Sequence, residues 1–245
     1  MVNLGAAYLQ MSEFDSALAQ FQKALEFAPN DATLHYNLGL TWKLKDKLPE
    51  AESELRKAAE LDPTQADPHY TLGVTLWQDG KFDDAAKELR AAVTVKPDYA
   101  EAYYTLGTVL KQKGDLPGAA TALREAIKLA PDFAGAHTTL AAVLRQMGDR
   151  EGGAAEAKLG SEIAQRKTND QTALFATNSG KRLRNAGDLD GAISQFQSAI
   201  AASPNFAPAH YELGIALKQQ GKTKEAETEF QTAKRLDPRL VIPEF

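Results

Sequence analysis

A glycine and a proline return together every 34 residues: Gly5 with Pro29, Gly39 with Pro63, Gly73 with Pro97, and Gly107 with Pro131. Self-similarity at one fixed period means a single supersecondary unit in tandem, each copy burying its apolar face against its neighbours. The stretch from Ala100 to Phe133 shows the unit most plainly. Leu106, Gly107 and Leu110 share one helical face, and Gly107 lets a second helix come close to its backbone. Gly114 and Asp115 break the first helix, because Gly accepts the left-handed conformation past a helix end and Asp caps the second helix. Ala119, Leu123 and Ala126 recur at i, i+4 and i+7, a small-large-small stripe facing the first helix. Pro131 cannot continue a helix and ends it. The spacing predicts two helices and a short turn per unit.

Composition narrows what such an array can do. Hydrophobic residues make up 43% of the 245 and charged ones 25%, ordinary values for a folded soluble chain. A formal net charge of −5 lacks the basic footprint that nucleic-acid binding needs. No apolar run reaches the length of a membrane span, so no membrane insertion is expected. The absence of Cys excludes disulfides, thiolate chemistry and Cys-based zinc sites, and leaves the redox compartment open.

The unit resembles the tetratricopeptide repeat (TPR), a 34-residue helix-turn-helix. In that family's pattern position 4 is a large aromatic, 7 Leu, 8 Gly, 20 Ala, 24 aromatic, 27 Ala and 32 Pro. Here position 7 is Leu38, Leu72, Leu106, Leu140 and Leu213. Position 20 is Ala17, Ala51, Ala85, Ala119, Ala192 and Ala226, and position 27 is Ala24, Ala58, Ala92, Ala126, Ala199 and Ala233. The resemblance spans essentially the whole chain. It implies an all-α, right-handed superhelical solenoid of about seven helix-turn-helix units, the first truncated.

The repeats fall at 1–31, 32–65, 66–99, 100–133 and 134–167, then 173–206 and 207–240, with a tail at 241–245. Repeat five drifts from the pattern: Ala141 stands for Gly, Gly153 for Ala, Ala157 for the large residue and Gln165 for Pro. Gly152, Gly153 and Gly160 in its second helix mark it as the weak point of the array. Residues 168–172 are an insertion, and Thr168, Asn169 and Asp170 can cap the next helix. The segment 150–172 therefore reads as a longer helix and a capped restart, either a tolerated insertion or a functional hinge.

The two ends differ. At positions 17, 21 and 28 repeat four carries Leu116, Ala120 and Ile127, whereas repeat seven carries Thr223, Glu227 and Lys234, the polar outer face of a terminal repeat. Repeat one begins inside a helix, which reads as a fragment boundary. It leaves Val2, Leu4 and Leu9 available for weak self-association. The closing Glu244-Phe245 reads as a restriction-site remnant.

Catalysis has little to work with. His35, His69, His137 and His210 all occupy position 4 of their own repeats, one packing slot rather than a converging ligand set. No nucleophile elbow, P-loop or dinucleotide fingerprint is present. The expectation is no enzyme, no metal and no cofactor.

Binding is better supplied. The resemblance implies that the first helix of each repeat lines a concave groove, through positions 2, 5, 6, 9, 12 and 13. Position 5 gives Tyr36, Tyr70, Tyr104 and Tyr211; position 6 gives Asn37 and Asn178, with Thr71, Thr105 and Thr139 between and Glu212 last. Position 9 contributes Lys181, and position 12 Lys43, Trp77, Lys111, Arg145, Arg184 and Lys218. Position 13 gives Gln78, Gln112 and Gln146. Amides offer donors and acceptors to a ligand backbone, Tyr gives rigid contact area, and Trp77 is the hot-spot candidate. The cationic row suits an acidic peptide or protein; equally, those side chains could pair with Asp67, Glu101 and Glu212 as solvated helix edges. The carboxylate clamp of chaperone-binding TPR modules does not line up, because Asn37 is followed by Asp67 and Thr71. The reading is a non-catalytic protein-interaction scaffold; the alternative is the substrate-recruiting arm of a larger enzyme or transport machine with further domains upstream.

Overall fold

The computed structural model describes residues 1–242, so the Glu244-Phe245 pair lies outside the described residues. Those residues form thirteen helices and no strand. They fall into two compact units, Met1–Gly160 and the remainder from Ser161.

Unit 1 holds α1 (Val2–Gln10), α2 (Phe14–Leu25), α3 (Ala32–Leu44), α4 (Leu48–Leu61), α5 (Ala66–Gln78), α6 (Phe82–Val95), α7 (Ala100–Gln112), α8 (Leu116–Leu129) and α9 (Ala134–Gln146), with the start of α10 (Arg150–Asn185). Helices α1, α3, α5 and α7 each pack on the next even-numbered one, and α1, α3, α5, α7 and α9 also touch in succession. The first helices thus form one wall of the unit. Between the two helices of repeat four lies Leu123, fully buried against Gly107, where an added Cβ would sit 2.6 Å from the leucine Cγ. That proximity is why position 8 is glycine.

Unit 2 contains the rest of α10 with α11 (Leu189–Ala202), α12 (Ala207–Gln219) and α13 (Thr223–Leu236). Phe196 and Phe230 fill its core, and the same closeness recurs at Gly180 and Gly214.

Turns obey one rule. Gly80, Gly114, Gly148, Gly187 and Gly221 all have positive φ, and Ser12 and Asp46 take the same conformation at the equivalent slot. An added Cβ at Gly114 meets nothing within 4 Å, so replacing it isolates the backbone cost. Gly114→Ala should lower stability by about 1 kcal/mol, and Gly114→Asn by less, because Asn tolerates left-handed backbone better. Urea melts check this; no loss for the alanine variant would remove the left-handed requirement.

Repeat five departs from the sequence reading in three ways. There is no capped restart at 168–170: α10 runs unbroken for 36 residues. Thr168 Oγ1 instead donates to the Ala164 carbonyl, Asn169 Oδ1 accepts from Gln165, and Asp170 Oδ1 accepts from Ser203 Oγ at 2.6 Å. With no Pro at position 32, nothing stops the helix.

Nor is Gly152 a defect of a helix interior. Its amide is capped by Asp149 Oδ1 at 2.8 Å, the arrangement that Asp115 makes with Gly118 and Asp188 with Gly191. The remaining small residues form a complementary set. An added Cβ on Gly153 would meet the Ala141 carbonyl oxygen at 2.9 Å, and one on Gly160 the Ala134 carbonyl oxygen at 3.2 Å. Repeat five has enlarged position 8 to Ala141 while shrinking position 24 to Ala157, so the helices still close. At positions 17, 21 and 28 it carries Arg150, Ala154 and Ser161, all exposed.

Candidate functional site

The wall of first helices in unit 1 displays one set of side chains per repeat. Tyr36, Tyr70 and Tyr104 are half-buried, packed by their rings against the core. Two are braced from the following loop: Tyr70 lies 4.9 Å from Tyr99 between ring centroids, and Tyr104 lies 4.7 Å from Phe133. Tyr99 donates its hydroxyl to Asp67 Oδ1 at 3.2 Å, and burial together with that carboxylate pushes the phenol well above its usual range. Tyr70 and Tyr104 are thereby held against rings of the neighbouring loops.

Asn37 is half-buried on α3, while Gln78, Gln112 and Gln146 are exposed at the helix ends. Trp77 is only half-exposed. It packs against the core and donates its indole N–H to Gln112 Oε1 at 2.6 Å, joining position 12 of one repeat to position 13 of the next. Its removal would therefore disturb packing as well as any contact with a partner.

Electrostatics separates two kinds of lysine. Those at the turns are satisfied internally: Lys45 by Asp15, Lys113 by Asp83, and Lys81 by Glu52 and Asp79 at 2.8 Å each. Burial pushes the Glu52 carboxyl up, but hydrogen bonds from Lys81 and Arg56 outweigh it and hold it below its usual range. Lys43, Lys111 and Arg145 on the first helices are different, forming no ion pair among the described residues. Neither Asp67 nor Glu101 serves them.

Unit 2 holds the other expected residues: Asn178, Lys181 and Arg184 on α10, and Tyr211 and Lys218 on α12. Here the cations of α10 are engaged, both meeting Glu212 of α12: Arg184 through a short contact and Lys181 at 3.4 Å. Tyr211 packs edge-on to Phe230 with centroids 5.8 Å apart. The expected residues thus fall in both units, and in unit 2 Lys181 and Arg184 are paired.

The histidines are braces. Each Nδ1 meets a glutamate 19 residues on, as in His35 with Glu54, His69 with Glu88, His137 with Glu156 and His210 with Glu229. In three of them Nε2 reaches the carbonyl of the preceding repeat's closing proline: Pro29, Pro131 and Pro204. Each of these three rings ties its second helix to the previous repeat. The glutamate at position 23 was a signal in the sequence, recurring whenever position 4 is His. Among the described residues no group of three His, Asp or Glu side chains could hold a metal ion.

Profiles of the tetratricopeptide repeat family match residues 5–45, 70–132 and 183–240. No curated protein sequence matches the chain. Among solved structures, MamA is similar at 27% identity and a TM-score of 0.65, over 67% of this chain and 96% of that one. The pilF protein of Pseudomonas aeruginosa matches 98% of this chain and 91% of its own at 18% identity and a TM-score of 0.54. Cut9, solved in the APC/C hetero-tetramer with Hcn1, covers 97% of this chain with 46% of that structure, at 17% identity and a TM-score of 0.54. These last two speak for the fold alone. With its period, its helix pairs and these profiles in agreement, the chain belongs to the tetratricopeptide repeat family.

Proposed function

We propose that this protein is a non-catalytic interaction scaffold whose unit 1 receives an extended acidic segment of a partner protein along the wall of first helices. One observation carries the reading. Lys43, Lys111 and Arg145 stand on that wall with no ion-pair partner among the described residues, whereas Lys45, Lys81 and Lys113 at the turns are paired. Surface cations left uncommitted beside braced aromatic rings offer steering and contact area to a carboxylate-bearing chain. Exposed amides at Gln78, Gln112 and Gln146 suit its backbone, since each can both donate and accept.

The test is a bait comparison from source lysate, wild type against Lys111→Glu/Arg145→Glu, with partner affinity then measured for both. Replacing two cations that face a partner's carboxylates by glutamates sets like charges against each other, which costs several kcal/mol, so binding should fall at least tenfold. Raising salt should weaken the wild type, because exposed charges are screened over about 8 Å at physiological ionic strength. Equal affinity of both proteins, insensitive to salt, would place the partner elsewhere.

A further inference from the structure

Position 6 of the first helix is Asn or Thr in the first six repeats, and Glu212 in the seventh. Glu212 is only 8% exposed. A carboxylate that buried is costly unless cations and hydrogen bonds compensate it. Arg184, with 15% of its side chain exposed, and Lys181, at 3.4 Å, supply them. Arg184 occupies the slot that Lys111 and Arg145 hold in repeats four and five, where no carboxylate of the described residues forms an ion pair.

We infer that Glu212 is a built-in occupant: its carboxylate holds the α10 cations of unit 2 that would otherwise receive a partner's carboxylate, so acidic segments are directed to unit 1. The inference rests on the proposed use of the first helices and adds the residue that decides which unit takes the acid. A second carboxylate approaching Arg184 must either displace Glu212 into a nearly dry environment or lie against it as a like charge. Both are unfavourable, and the second alone costs several-fold to many-fold in affinity. On unit 1 the same approach meets Lys111 and Arg145, which form no ion pair among the described residues.

The experiment titrates the intact chain with a dye-labelled oligoglutamate peptide at low salt, following anisotropy and stoichiometry. Glu212→Gln keeps the side chain's size, and Glu212→Thr installs the residue that repeats three to five use at this slot. Circular dichroism confirms that each variant folds. Both variants should acquire an additional binding event, with about tenfold stronger uptake of the probe in unit 2. Adding Lys181→Gln and Arg184→Gln to the Glu212→Gln protein should remove that gain and leave the unit 1 event in place. If neither folded Glu212 variant gains binding, or if the gain survives loss of both cations, the inference fails. The underlying reading fails separately, if the wild type shows no event that Lys111→Glu/Arg145→Glu weakens.

Discussion

Gly107→Ala should destabilise the protein by about 2 kcal/mol, although alanine is the better helix former. The new Cβ would lie 2.6 Å from Leu123 Cγ and 3.1 Å from the Ala119 carbonyl oxygen, so the leucine and then the backbone must yield. Leu123→Ala alone, at a fully buried side chain, should cost roughly 2–5 kcal/mol through lost burial and the cavity it leaves. Together the two changes reproduce the Ala141 and Ala157 pair of repeat five. The double variant should therefore be more stable than the sum of the singles by at least about 1 kcal/mol, the coupling expected of residues in contact. Chemical denaturation of the four proteins completes the cycle. Strict additivity would mean that repeat five's small residues are not a matched set.

The other large effect belongs to unit 2. Phe196 is fully buried, and its ring is what a Cβ on Gly180 would strike at 2.5 Å. Phe196→Ala should cost roughly 3–5 kcal/mol, more than most units of a repeat array can lose and stay folded. The location of the loss can be read optically. Both tryptophans, Trp42 and Trp77, lie in unit 1, so fluorescence follows that unit while circular dichroism follows every helix. The variant's dichroism transition should broaden and begin at lower denaturant, while the fluorescence midpoint moves much less. Equal shifts in both signals would show the two units unfolding as one.

Most of the architecture was legible because each repeat restates it. The period, the Gly-to-large pairing of positions 8 and 24 and the turn glycine all follow from steric needs that only a few residues satisfy. Repeat five was harder, because its substitutions compensate one another in space. Gly153 looks like a helix defect until the Ala141 carbonyl beside it is seen, and Gly152 until Asp149 is found capping it. The unbroken α10 was half legible: the missing Pro at Gln165 pointed to a longer helix, but the polar Thr168-Asn169-Asp170 run reads equally as a cap or as an exposed helical turn. Charge was least legible. Lys111 and Arg184 share a repeat position, and only the placement of Glu212 distinguishes an uncommitted cation from an engaged one.

The most direct measurement is amide NMR broadening by an oligoglutamate peptide carrying a spin label, recorded on the wild-type protein. Broadening should concentrate on the solvent side of α3, α5, α7 and α9, around Lys43, Lys111 and Arg145, and fade with salt. Broadening centred on α4, α6 and α8, or spread evenly over both units, would contradict the first-helix wall as the binding surface.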